Sequence, residues 1–169
     1  HEEMRTKHRQ NMEAARDSQQ KAQARERLLA KLVAMHDFPV PEALVEHQKD
    51  LRLERVVRQL AAQGVDPRAV NVDWVSLRRR QQERAVEDVK AELLLDRIAT
   101  AEQIDVTDEE VNQELEHVAG HSGESATTVR ARLTKQGALD RMKSKLRSDK
   151  TLEWLYRNAR IQTAAKSEQ

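Results

Sequence analysis

The sequence predicts an all-α protein, and three observations carry that expectation. Gly occurs 4 times and Pro 3 times in 169 residues, too few for the many turns of a sheet protein of this length. Phe and Tyr occur once each and aromatic residues make up 2% of the chain, so strands would lack the side chains that favour them. Ala, Leu, Glu, Lys, Arg and Gln dominate, and these have the highest helix propensities. Leu, Val, Ile and Phe together make 36 of 169 residues, just above the ~20% below which chains tend to stay disordered. A thin core under a large charged surface follows. The expected architecture is an elongated multi-helix domain over residues 1–169 with protruding helical arms, and not a compact bundle.

The first helix is expected from residue 1 to about 36. Its first 27 residues offer only Met4, Met12 and a few alanines as apolar groups, so this stretch bridges solvent or rests on a partner. From Leu28 a seam forms through Leu29, Leu32 and Val33 at spacings of three and four. Phe38–Pro39–Val40–Pro41 ends it, and Pro41 suits the first turn of the next helix. That second helix runs to about Gln63. Leu44, Gln48, Leu51 and Val56 mark one face, Val45, Leu53, Val57 and Leu60 widen it, and Gly64 supplies the C-terminal cap. Asp73 caps a third helix with no Gly or Pro before Glu102, about 30 residues or roughly 45 Å. Its first half is charged and its second half is apolar on nearly every side. Thr107–Asp108–Glu109–Glu110 has the form of a capping box opening a helix with the seam Val111, Leu115 and Val118. Gly120 to Gly123 is expected to break the chain. Ser125 then caps a short helix that carries Val129 and Leu133 and stops at Gly137. A last helix, with Leu139, Met142, Leu146, Leu152 and Leu155 facing inward, is expected to fray after Ile161.

Several chemistries find no support. Cysteine is absent, so disulfides and thiolate catalysis are excluded. No Gly-x-Ser-x-Gly elbow occurs, and the scattered glycines form no phosphate-cradling loop. Glu114, His117 and His121 lie at spacings of three and four. They make half of a di-iron carboxylate motif without its second half, and zinc would want a third ligand. With Gly120 expected to end the helix before His121, no metal and no other cofactor is assigned. Lys plus Arg number 30 against 29 Asp plus Glu, a net charge of +1 that argues against a dedicated DNA-binding domain. Arg78, Arg79, Arg80 and Arg84 form the densest basic run and raise an RNA- or ribosome-binding adaptor as an alternative. No aromatic lies among them to stack a base, and Glu83, Glu87 and Asp88 are expected to answer them at helical spacing, as on a solvated face. No apolar run approaches the ~18 residues a membrane span needs, so no membrane partner is expected. The helical pattern already runs at His1–Glu2–Glu3–Met4, so the sequence reads as a piece of a longer protein.

Apolar residues at helix ends are the remaining candidates. Val65, Val70, Val72 and Trp74 lie in or beside the loop after the second helix, and Val129, Leu133 and Met142 around the short helix. They either fill small cores between helix ends or form exposed patches for greasy segments of other chains. Scattered Leu, Val and Met on a charged scaffold suit weak, promiscuous contact. A third possibility is a spacer that holds other domains apart.

Leu28–Leu29–Ala30–Lys31–Leu32–Val33 followed by Phe38–Pro39–Val40–Pro41–Glu42–Ala43–Leu44–Val45 resembles a helix junction of the trigger factor C-terminal domain. Glu92–Leu93–Leu94–Leu95–Asp96–Arg97–Ile98–Ala99 and Ile104–Asp105–Val106–Thr107–Asp108–Glu109–Glu110–Val111 resemble the same domain's buried helix and its capped successor. The similarity covers essentially all 169 residues in order. It implies a bacterial cytoplasmic, ATP-independent chaperone whose helical body and arms hold unfolded or nascent polypeptides. In that family the ribosome is bound by an N-terminal domain and a separate domain is a prolyl isomerase. Neither pattern is found here, so no enzyme activity is carried over to these residues. The module also resembles the core of a periplasmic SurA-type chaperone, which stands as an alternative. Leu53, Val57, Trp74, Leu77, Val129, Leu133 and Met142 are expected to contact client chains, no catalytic residue is assigned, and a homodimer is a further possible partner.

Overall fold

In the computed structural model of the chain, the described residues are 2–167, with side chains described at residue 7 and residues 11–159. Met4 and Ile161, which the sequence reading used, have side chains outside that set. The described residues form seven helices and no strand, bearing out the all-α expectation. These are α1 (Glu2–Ala34), α2 (Glu42–Ala62), α3 (Trp74–Arg80), α4 (Gln82–Ala101), α5 (Asp108–Ser122), α6 (Ala126–Lys135) and α7 (Leu139–Ser167). The last helix runs past the expected fraying point, where Gln162, Ala164, Ala165 and Lys166 favour helix and no Gly or Pro intervenes.

The starts of α3, α5 and α6 are set by short-range side-chain caps. Asp73 accepts the Ser76 amide at 3.0 Å and the Ser76 hydroxyl at 2.6 Å. Thr107 Oγ1 accepts the Glu110 amide at 3.2 Å while the Glu110 carboxylate accepts the Thr107 amide at 2.8 Å, a completed capping box. Ser125 accepts the Thr128 amide at 3.2 Å.

Two boundaries differ from the sequence expectation. The third helix is not continuous, because the chain tightens at Gln81 (φ −82°, ψ −7°), whose amide donates to the Arg78 carbonyl. The Gln81 side chain accepts from Arg52 Nε at 2.8 Å, a tertiary contact that no local residue pattern announces. At the other boundary, α5 runs through Gly120 and His121 to Ser122. One interior glycine costs a helix about 1 kcal/mol, which packing overcomes. The helix ends only at Gly123, in the left-handed region at φ 71°, where a residue without a Cβ is favoured.

The chain divides into two compact units, one of residues 1–29 and 95–169 and one of residues 30–94. In the first, α5 presents Val111, Leu115 and Ala119 at intervals of four to Val129 of α6, and all four are buried. Val106, Val118, Ala126, Leu133, Leu139, Met142 and Leu146 close around them. Arg147 of α7 fastens the loop before α5, donating from Nε to the Ile104 carbonyl at 3.0 Å and from Nη2 to Thr100 Oγ1 at 3.1 Å. It also pairs with Asp96 and Asp105. Residues 11–23 of α1 are exposed throughout, as their polar sequence anticipates. Arg25 then reaches α7, pairing with Glu153 and lying 5.5 Å from the Tyr156 ring centroid.

The second unit has a smaller core of Val45, Ala85 and Val89, with Val40, Val86 and Leu93 packed against it. Charge does much of the remaining joining. Arg78 pairs with Glu46 at 2.7 Å and with Asp50, Arg52 pairs with Asp88, and Gln48 donates to Asp88 at 3.0 Å. Arg78 is therefore answered from α2 and not, as expected, by Glu83, Glu87 and Asp88. Glu46 is held below the usual carboxylate range by its hydrogen bonds from Lys49 and Arg78. Leu44, expected on the inner face of α2, is 42% exposed.

Candidate functional site

The C-terminal half of α2 and the loop after it build the apolar site. Gly64 lets the chain leave the helix at φ 74°. Asp66 accepts the Arg68 amide at 2.9 Å, and two tight turns follow, Val72 N–H to Val70 O at 2.8 Å and Trp74 N–H to Val72 O at 3.0 Å. This path brings Pro67, Val70 and Trp74 opposite Val57 and Ala61, and with Asp66 and Arg68 they line a groove of about 540 Å³. A second groove of about 510 Å³ lies along α2 between Asp50, Leu53, Glu54, Val57 and Arg58. Val57 belongs to both and is 37% exposed.

The charges along the second groove are paired. Arg58 pairs with Glu54 at 3.4 Å, and Asp50 pairs with Arg78. Besides Asp66 and Arg68 at the first groove, a ligand meets the apolar surface of Leu53, Val57, Val70 and Trp74. Such a surface offers contact area without a demanding polar geometry, so it discriminates weakly among apolar side chains.

Of the seven residues expected to contact clients, Leu53, Val57 and Trp74 converge here. Leu77 is half-buried one turn beyond Trp74 and lines neither groove. Val129 is 0% exposed, which corrects its assignment: a side chain sealed between α5 and α6 cannot touch another protein. Leu133 and Met142 are half-buried and pack against that same core. Sequence reasoning missed Ala61, Pro67 and Arg68, which join the site only through the return of the loop over α2. The Gly64–Val65–Asp66–Pro67 break was the available signal.

The first unit carries its own open groove, about 500 Å³, between α5 and α7. It is lined by Val106, Glu110, Gln113, Glu114, His117, Leu146, Asp149 and Lys150. Lys150 donates to Glu110 at 2.8 Å and the Thr107 amide donates to it as well, and together they hold the Glu110 carboxyl below the usual carboxylate range. A lowered native pKa adds stability that is present above the unfolded-state value of 4.5 and lost as pH falls through the native value. The variant Glu110→Gln should therefore be less stable than the parent at pH 7 and lose less stability on acidification below pH ~4.5. Urea midpoints of both proteins across pH 3–7 check this, and parallel curves would count against it.

Among the described residues, no helix is long and apolar enough to cross a membrane, and no group of three or more His, Cys, Asp or Glu is arranged to hold a metal ion. The family model for the C-terminus of bacterial trigger factor matches residues 2–157. The chain belongs to the trigger factor C-terminal family. It is 42% identical over 156 residues to the trigger factor of Koribacter versatilis, covering 92% of this chain and 36% of that protein. It is 39% identical over 138 residues to the trigger factor of Solibacter usitatus, covering 82% and 33%. A solved structure of trigger factor domains from Thermotoga maritima superimposes with a TM-score of 0.58 over 81% of each chain at 21% identity, a likeness of fold. The chain thus spans about a third of the length of these trigger factor relatives. Membership bears out the resemblance of the helix junctions to the trigger factor C-terminal domain.

Proposed function

We propose that this chain is a client-holding module of a bacterial, cytoplasmic trigger factor, binding unfolded or nascent polypeptides without nucleotide. The observation that carries the reading is the pair of open apolar grooves that meet at Val57. Fully burying one Leu- or Phe-sized client side chain contributes about 1.5–3 kcal/mol, and the loss of free motion on association offsets much of it. A single groove therefore holds a client only transiently. Several such contacts along one unfolded chain raise the effective affinity without making any one of them tight, so release needs only the folding of the client. In this reading ribosome docking belongs to parts of trigger factor beyond these residues, the module itself makes and breaks no covalent bond, and self-association into a homodimer would cover the same apolar surface.

The test is the aggregation of a chemically denatured client on dilution, followed by light scattering at low and high salt. Suppression by the chain should persist at high salt, since salt screens charge and not apolar contact. The triple variant Leu53→Ser, Val57→Ser, Trp74→Ser should lose most of the suppression while keeping its helical circular dichroism. Undiminished suppression by a folded triple variant would overturn the assignment of the surface. Suppression that disappears with salt would point to the exposed Arg79 and Arg80 instead.

A further inference from the structure

His117 and His121 occupy successive turns of α5, and the structure keeps both on a single uninterrupted helix. Their rings lie 4.6 Å apart between centroids, with planes at 63°. Both residues are exposed. His121 Nδ1 is 2.9 Å from the His117 carbonyl oxygen. A carbonyl only accepts, so Nδ1 is the donor, and in the neutral ring the lone pair of His121 then sits on Nε2. This is the arrangement by which a ligating histidine is oriented, one ring nitrogen donating to a backbone oxygen and the other presented to a metal. Four-residue spacing of two histidines on one helix face is also the spacing used by zinc-binding helices.

We propose that His117 and His121 form a two-histidine chelate for a borderline divalent cation such as Zn(II), Ni(II) or Cu(II). Imidazole suits these metals, whereas Mg(II) and Ca(II) want oxygen ligands. With two protein ligands and no third in place, the remaining coordination positions belong to water or to a group brought by another molecule. The site is accordingly weak and exchangeable, an accessory cation site and not a structural zinc centre. Chelation ties the last turn of α5 to the turn before it, and the Gly120 between them lies where that helix is intrinsically weakest.

The test must be local, because the chain has 6 histidines in all. Backbone amide hydrogen exchange at Ala119–Ser122 of the chain is measured with and without Zn(II), with Mg(II) as the control. A ligand that binds only the closed helix slows exchange through local opening by the factor 1 + [Zn]/Kd, about tenfold at ten times Kd. The expected result is such a slowing with Zn(II), none with Mg(II), and its loss in both His117→Ala and His121→Ala. Both side chains are exposed, so the single variants should retain the α5 protection of the metal-free parent. No slowing with Zn(II) at millimolar concentration would overturn the proposal. So would slowing that survives either single variant, because it would place the cation elsewhere. Loss of metal-free α5 protection in one variant would move the judgement to the ring-proton shifts of His117 and His121 in the unaltered chain. They must move with Zn(II) if the proposal holds.

Discussion

Replacing Leu115 by Ala is expected to lower the unfolding free energy by about 3 kcal/mol, the largest loss anticipated for any single truncation in this chain. Leu115 is 1% exposed and sits at the centre of the first unit's core, with Val111 and Ala119 one turn away on either side and Val129 against it. A Leu-to-Ala change removes the transfer energy of the deleted carbons and leaves a cavity that fixed helices close only in part. The same substitution at Leu44, which is 42% exposed, removes no comparable burial and is expected to cost well under 1 kcal/mol. The paired comparison separates burial from chemistry, because the side chain deleted is identical. Urea titrations followed by circular dichroism measure both. Equal midpoint shifts in the two variants would show that the first unit's core is not where the stability resides. Against a total of about 5–15 kcal/mol for a typical domain, the Leu115 loss leaves a measurably frayed protein. For that reason Val129→Ser is unsuitable as a probe of client contact, and Val57→Ser is suitable.

Some of this architecture was legible in the sequence because its causes are local. The Thr107–Glu110 capping box, the Asp73 cap and the Ser125 cap each join residues three apart, so a short stretch of sequence contains the whole interaction. The seam Val111–Leu115 was legible from its period alone. Periodicity states which residues share a face but not whether that face is covered, and Val57 and Val129 show the difference. Both sit on amphipathic helices and were expected to do the same job, yet one is 37% exposed and the other is sealed. The partners of Arg78 were missed for a related reason. Glu46 and Asp50 lie 32 and 28 residues earlier in the chain, while Glu83 and Glu87 are near in sequence and were favoured on spacing. Gln81 carries no mark of a helix breaker, and the bond it accepts from Arg52 is a product of the fold. His121 was set aside for want of a further ligand and because Gly120 looked like a helix end, where the left-handed residue is in fact Gly123.

Arg147 is the second position where a single change should be costly, and its cost should be localised. Its guanidinium serves the Ile104 carbonyl, the Thr100 hydroxyl and the carboxylates of Asp96 and Asp105, so one side chain of α7 secures the end of α4 and the loop leading to α5. Ile104 is itself 9% exposed, and Gln103 before it is held at φ 55°, a conformation that only surrounding contacts maintain for a residue with a Cβ. Removing the guanidinium leaves the Ile104 carbonyl without this donor and two carboxylates without their cation. Hydrogen bonds to charged groups contribute about 1.5–3 kcal/mol, and the exposure of both carboxylates screens the ionic share. Arg147→Ala is therefore expected to cost about 2 kcal/mol, and Arg147→Lys nearly as much, because an ammonium cannot reproduce the planar fork that reaches several acceptors at once. Lys150 donates to the Asp105 carbonyl at 2.8 Å and shares the load, so the double variant with Lys150→Ala should lose more than the sum of the single changes. Hydrogen exchange should rise first at Ile104, whose amide donates to the Ala99 carbonyl at 2.8 Å. Thr107→Ala should leave that amide largely protected, since its cap lies on the far side of the loop. If Arg147→Ala leaves exchange at Ile104 unchanged, the loop is held by the packing of Ile104 alone and the guanidinium is only an accessory.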